Sequence, residues 1–170
     1  MVNQQAADLV IGLITAIRAR GSSVRKTMLL KFLYLADIAN YRANGETFTG
    51  FDWIFHRFGP WAREYDELLE SLQETGQVSI ESTDWEDDKA YESIRSEEKR
   101  DLHGVFPSLE AQHELSLALD ALADKPLGEI LDHVYFETEP MEGAERLSRL
   151  DFSKVDRGVE FAFTSRSAPS

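Results

Sequence analysis

Residues 24–43, VRKTMLLKFLYLADIANYRA, constrain the fold more than any other part of the chain. Val24, Met28, Leu29, Leu30, Phe32, Leu33, Leu35, Ala36 and Ile38 occupy most of the circumference of a helix rather than one stripe. A helix that is apolar nearly all round has to be covered on several sides, so this segment is expected at the centre of a helical bundle. Ser22 and Ser23 are available to cap its start, and Asn44-Gly45 ends it. Its polar residues form a narrow stripe of Lys31, Tyr34, Asp37 and Tyr41, three to four residues apart. Lys31 and Asp37 are six residues apart, too far for an intrahelical pair, so each is expected to reach another element, such as Arg57 or Tyr65. Two readings of the stripe stand side by side: an internal polar network that fixes helix register, and a partner contact.

Helices on either side can supply the cover. Residues 4–20 place Ala6, Leu9, Val10, Leu13, Ile14 and Ile17 on one face, with Gly21 as the stop. Residues 60–75 bury Trp61, Tyr65, Leu68, Leu69 and Leu72, with Pro60 in the first turn and Gly76 at the end. Three more helices are expected, over 108–124 (capped by Ser108), 126–136 and 139–148 (introduced by Thr138 and Pro140). Between them, 77–95 alternates as a hairpin with an acidic tip, Asp84 to Lys89, and 95–107 reads as a charged connection. The resulting class is mainly α (α+β): a helical bundle around a central buried helix with a short β-hairpin, winged-helix-like. One domain is expected over 1–158, with 159–170 a flexible tail.

Residues 51–61, FDWIFHRFGPW, break the helical pattern. Trp53, Phe55 and Arg57 would share one face of a short strand, and Gly59-Pro60 punctuates the chain after Phe58. Core packing plus a turn is one reading. An interface is the other, because Trp, Tyr and Arg are common anchors of binding energy.

Charge narrows the function classes. The chain carries 18 basic and 31 acidic side chains, a net charge of −13. Residues 1–57 hold seven basic and four acidic groups, or +3, so the remainder is −16. A surface so acidic repels phosphate backbones, which makes nucleic acid an unfavoured partner; it suits a basic protein partner and also confers solubility. With no cysteine there is no disulfide and no Cys-based metal site or nucleophile. His56, His103, His113 and His133 share no metal-ligand spacing. The carboxylates between Trp85 and Glu98 and at Glu137, Glu139, Glu142 and Glu145 read as a solvated face, and no nucleophile elbow or phosphate-cradling glycine loop is present. No catalytic residue, cofactor or metal is expected. The MVNQQAADLV start lacks the pattern of a secretory signal and no apolar run approaches a membrane span, so a cytoplasmic location is expected.

The two odd features also carry a family resemblance. TMLLKFLYLADIANYRANGETFTGFDWIFHRFGPWAREYDELLESLQETGQV resembles the core of the Panacea domain, the antitoxin domain also named after SocA. That pattern is a K-L-x-K-L-L-Y-x-A-D-like helix, a short extended stretch with an aromatic residue, a G-P pair opening a helix, and a β-wing. Leu30-Lys31-Phe32-Leu33-Tyr34-Leu35-Ala36-Asp37 supplies the first and Trp53 to Pro60 the second, with 77–95 as the wing. Phe58-Gly59-Pro60 replaces the usual Y-G-P, and Trp61 stands where a small aliphatic residue is usual. The likeness covers roughly 8–135 and is densest over 27–76; the C-terminal LDHVYFETEPMEGAERLSRLDF lies outside it.

The resemblance implies a mainly helical fold with a winged element. It implies an antitoxin that is not an enzyme and that neutralises a cognate toxin by direct binding, or delivers it to a protease. The contact would involve Lys31, Tyr34, Asp37, Trp53, Phe55, Arg57, Phe58, Gly59, Pro60 and Trp61. A winged-helix DNA-binding regulator and a carboxylate-dependent enzyme such as a nuclease, with Asp37 as its best candidate, are the alternatives. The toxin's identity and the oligomeric state are not readable from the chain.

Overall fold

The computed structural model describes residues 3–57, 59–83, 91–106 and 108–157. Among them lie six α-helices: α1 (Gln4–Ala19), α2 (Lys26–Asn44), α3 (Arg63–Glu74), α4 (Leu102–Val105), α5 (Leu109–Leu122) and α6 (Leu127–Glu137). Four short strands, β1 (Ile54–His56), β2 (Gly59–Trp61), β3 (Ser79–Thr83) and β4 (Tyr91–Arg95), form two antiparallel pairs. The class is mainly α with some β. The expected hairpin tip, Asp84 to Lys89, and the expected tail, 159–170, fall outside the described residues.

Helix α2 is the centre. Every residue from Met28 to Asn40 is buried, polar ones included. Helices α1, α5 and α6 pack on it, as do β2 and β4. Gly45, at φ +79°, ends α2 in the left-handed conformation that Gly adopts without a steric penalty. The inward set read from periodicity in α1 is buried as expected, as are Tyr65, Leu68, Leu69 and Leu72 of α3, whereas Trp61, expected with them, lies in β2 and is half-buried. Helix α1 also buries Ala7, Ile11 and Gly12, because α4 covers a second face of it. A Cβ on Gly12 would lie 2.9 Å from Leu102.

The structure corrects four expectations. Helix α2 starts at Lys26 without a side-chain cap from Ser22 or Ser23, since Val24 and Arg25 are extended and pair with β4. The stretch 95–107 is not only a connection, since it contains α4. Pro60 does not open a helix: it lies in β2, paired with Phe55, and α3 begins at Arg63. A proline on an edge strand forfeits no ladder hydrogen bond, which makes this place as compatible with its chemistry as the first turn of a helix. The expected helix over 139–148 is a single 3₁₀ turn, Glu139–Met141. Gly143, at φ +71°, follows it, and the chain then extends along the free edge of β1. There Phe55 N–H donates to Ser148 C=O at 2.9 Å, Leu147 N–H to Phe55 C=O at 2.6 Å and Leu150 N–H to Trp53 C=O at 2.9 Å. β1 thus lies between β2 and the 147–150 segment.

Candidate functional site

Three of the four residues of the polar stripe of α2 are interior, and Tyr41 is half-buried. Lys31, Tyr34 and Asp37 are 1%, 0% and 0% exposed. Asp37 accepts the backbone N–H groups of Phe48 and Thr49 on Oδ1, at 2.8 and 2.9 Å. Its Oδ2 accepts the Thr49 hydroxyl and, at 2.8 Å, the Trp53 indole N–H. Burial pushes its pKa up, and the Thr49, Trp53 and Phe48 donors pull it back. All four partners are donors, so the carboxylate is the form this environment satisfies. Its work is to shape the turn that leads from α2 into β1.

Tyr34 joins α2 to α6. Its hydroxyl lies 2.9 Å from Thr138 Oγ1, and the Thr138 hydroxyl donates to Val134 C=O at 2.6 Å, which leaves Tyr34 as the donor of the pair. Burial raises the Tyr34 pKa far above its ordinary value. The Tyr34 ring also stands edge-on to Trp53, with centroids 5.5 Å apart. The stripe is therefore an internal network, and its partners are not Arg57 or Tyr65.

Lys31 differs from its neighbours. Its ammonium donates to Pro60 C=O at 2.8 Å and forms no ion pair among the described residues. Burial lowers its pKa from 10.5 to about 7. It lies at a cleft of about 320 Å³ bounded by α2, α3 and the β1–β2 hairpin.

The aromatic-glycine stretch divides between core and surface. Trp53, Gly59 and Pro60 are buried, Phe55 and Trp61 are half-buried, and His56 and Arg57 are exposed. Phe58 lies outside the described residues. Gly59, at φ +91°, passes close to Tyr135 and to Lys31 Nζ.

The hairpin's outer side meets residues that sequence reasoning passed over. Phe55 lies 5.8 Å from the Tyr135 ring, and Tyr135 lies 6.4 Å from Phe136. The Arg146 guanidinium sits 6.0 Å from the Phe55 centroid, and Leu147 is hydrogen-bonded to the Phe55 backbone. Phe136 is 80% and Leu147 71% exposed. One sequence signal was available: Phe136 follows Val134 by two positions and so lies off the inward face of its helix. Leu147 carried no signal, because only the pairing of 147–150 with β1 brings it here. Among the described residues, no group of three His, Asp or Glu side chains is placed to hold a metal ion. No helix there is long and apolar enough to cross a membrane.

The chain matches the family model described as antitoxin SocA-like, Panacea domain, over residues 29–151. It belongs to that family. The Panacea match takes in α2 almost from its start, the hairpin, the aromatic patch and most of the Lys31 cleft, whose Arg25, Lys26 and Thr27 precede it. It also corrects the resemblance drawn from motifs in two ways: it starts at 29 rather than near 8, and it includes 131–151, which the motifs left out. The pairing of 147–150 with β1 supplies a physical reason, since the C-terminal part of the Panacea domain completes the small sheet. No curated protein and no solved structure matches the chain.

Proposed function

We propose that this Panacea domain is a non-enzymatic antitoxin that neutralises a toxin protein by direct binding. The observation that carries the reading is the contiguous surface of Phe55, Tyr135, Phe136, Arg146 and Leu147. Large apolar side chains displayed beside an arginine are the usual composition of a binding hot spot. The patch rests on a rigid base, because the β1 backbone beneath it is hydrogen-bonded on both sides. Trp53, Tyr34 and Asp37 support the surface from within, while Phe55 and Trp61 remain within a partner's reach. The strongly acidic remainder of the chain disfavours nucleic acid and leaves a protein as the better-matched partner.

Co-expression with the product of the adjacent gene tests this. The neighbour alone should arrest growth, the pair should not, and the two should co-purify. The double variant Phe136→Ser, Leu147→Ser should stay folded and lose protection. A harmless neighbour that forms no complex, or a double variant that protects as well as the parent, would overturn the reading.

A further inference from the structure

The Lys31 cleft adjoins the aromatic patch at Gly59, which lies close to both Tyr135 and Lys31 Nζ, but it has its own chemistry. A lysine ammonium carries three N–H donors, and Lys31 uses one of them, on Pro60 C=O at 2.8 Å. It is 1% exposed and forms no ion pair among the described residues. An unpaired buried cation is expensive, and an internal carboxylate would be the ordinary remedy. This fold offers instead an open space of about 320 Å³ beside the ammonium. Such a volume suits a small organic group.

The walls and rim restrict what could enter. Leu30, Trp61 and Leu127 present hydrocarbon and an indole face, and His56 stacks on Trp61 at 5.0 Å. At the rim, Lys26 is held by Asp66 at 3.3 Å and Glu92 at 3.6 Å, and Asp66 also accepts the Trp61 indole N–H at 3.2 Å. The Tyr65 hydroxyl is turned to Lys26 C=O. Arg25 also lines the cleft, and Lys26 is already paired with the two rim carboxylates; these repel a multiply charged phosphate, whereas a single negative charge on an apolar body meets the Lys31 ammonium and hydrocarbon.

We propose that this cleft is a binding site for a monovalent carboxylate with an apolar body, its oxygens on Lys31 Nζ and its hydrocarbon against Leu30, Trp61 and Leu127. The carboxylate has two possible sources: a free small acid, or the terminal carboxylate of a bound polypeptide. Neither requires the antitoxin reading, so the two can fail separately.

The test follows the Lys31 side chain by NMR in protein labelled with [6-¹³C]lysine. The probes are phenylacetate, its neutral amide phenylacetamide, a short peptide ending in a free phenylalanine carboxylate, the same peptide amidated, and inorganic phosphate. A bound carboxylate should raise the Lys31 titration midpoint, near 7 without ligand, by about 1–3 pH units. Phenylacetate acting alone identifies a free small acid; much tighter binding of the peptide acid identifies a chain terminus. Leu127→Glu, at the half-buried edge of the cleft, should abolish the response without disturbing the core. The proposal is overturned if no carboxylate moves the Lys31 signal, if the amides bind as well as the acids, or if phosphate binds as well as either acid.

Discussion

The Trp53 indole N–H donates to Asp37 Oδ2 at 2.8 Å, fastening β1 to the central helix from inside the core. Removal of the carboxylate leaves that donor, the Thr49 hydroxyl and two backbone N–H groups without their acceptor. Asp37→Ala should therefore cost about 3–5 kcal/mol of unfolding free energy. Asp37→Asn keeps one oxygen but turns an amino group towards donors, for a loss of roughly 2 kcal/mol or more. Urea unfolding followed by tryptophan fluorescence measures both. A stable Asp37→Asn protein that has lost a catalytic activity would instead favour the nuclease alternative.

Lys31 makes stability depend on pH in a stated direction. Its pKa is about 7 in the fold and near 10.5 when unfolded. Between those values the unfolded chain binds more protons, so stability rises with pH; below 7 the full cost of burying the charge is present. The contribution is roughly 3 kcal/mol at most between pH 7 and about 9.5. Above about pH 10 the buried Tyr34 and Tyr65, whose pKa values are raised chiefly by burial, act in the opposite sense, because the fold then holds protons that the unfolded chain gives up. Chemical denaturation at a series of pH values should show the rise in the parent and not in Lys31→Met.

The centre of this fold was open to sequence reasoning because its signal is local. Thirteen consecutive buried residues in α2 write their burial into composition, and Gly45 and Gly76 mark helix ends by a backbone requirement. The errors came where a long-range partner decides. Gly59-Pro60 suits a helix start or an edge strand equally, and the pairing with Phe55 chooses the strand. Thr138 and Pro140 do start a helical turn, but the free edge of β1 takes the following residues. In the same way Lys31, Tyr34 and Asp37 announced a polar network without announcing their partners, since Thr138 is 104 residues from Tyr34.

Arg42 tests whether the C-terminal part is integral. Its guanidinium meets Glu114 at 2.8 Å, Glu139 at 3.1 Å and the Asp156 C=O at 2.6 Å, tying α2 to α5 and to the segment after α6. Burial pushes the Glu114 carboxyl up against the pull of Arg42, while Arg42 and the Asp156 N–H hold Glu139 below its ordinary value in spite of its own burial. Arg42→Ala leaves Glu114 buried and unpaired and should cost about 3–5 kcal/mol. Hydrogen exchange should show the loss of protection concentrated in 139–157, ahead of α1 and α2.

Leu147 is the one described non-glycine residue at positive φ, +68°, and its side chain is 71% exposed. A leucine held there costs of order 1 kcal/mol or more, and burial returns little of it. The backbone conformation is imposed by the pairing with Phe55, so glycine would adopt it without strain. Leu147→Gly should accordingly raise stability, or leave it level once the extra freedom of the unfolded glycine is counted, by no more than about 1 kcal/mol. Asparagine, which tolerates the left-handed region, should behave similarly. If Leu147 is displayed for a partner, both variants should weaken toxin binding while the fold is unharmed. Thermal unfolding and affinity measured on the same proteins separate the two effects: weaker binding in a protein at least as stable as the parent is the expected pair of results. Unchanged binding would remove Leu147 from the contact surface.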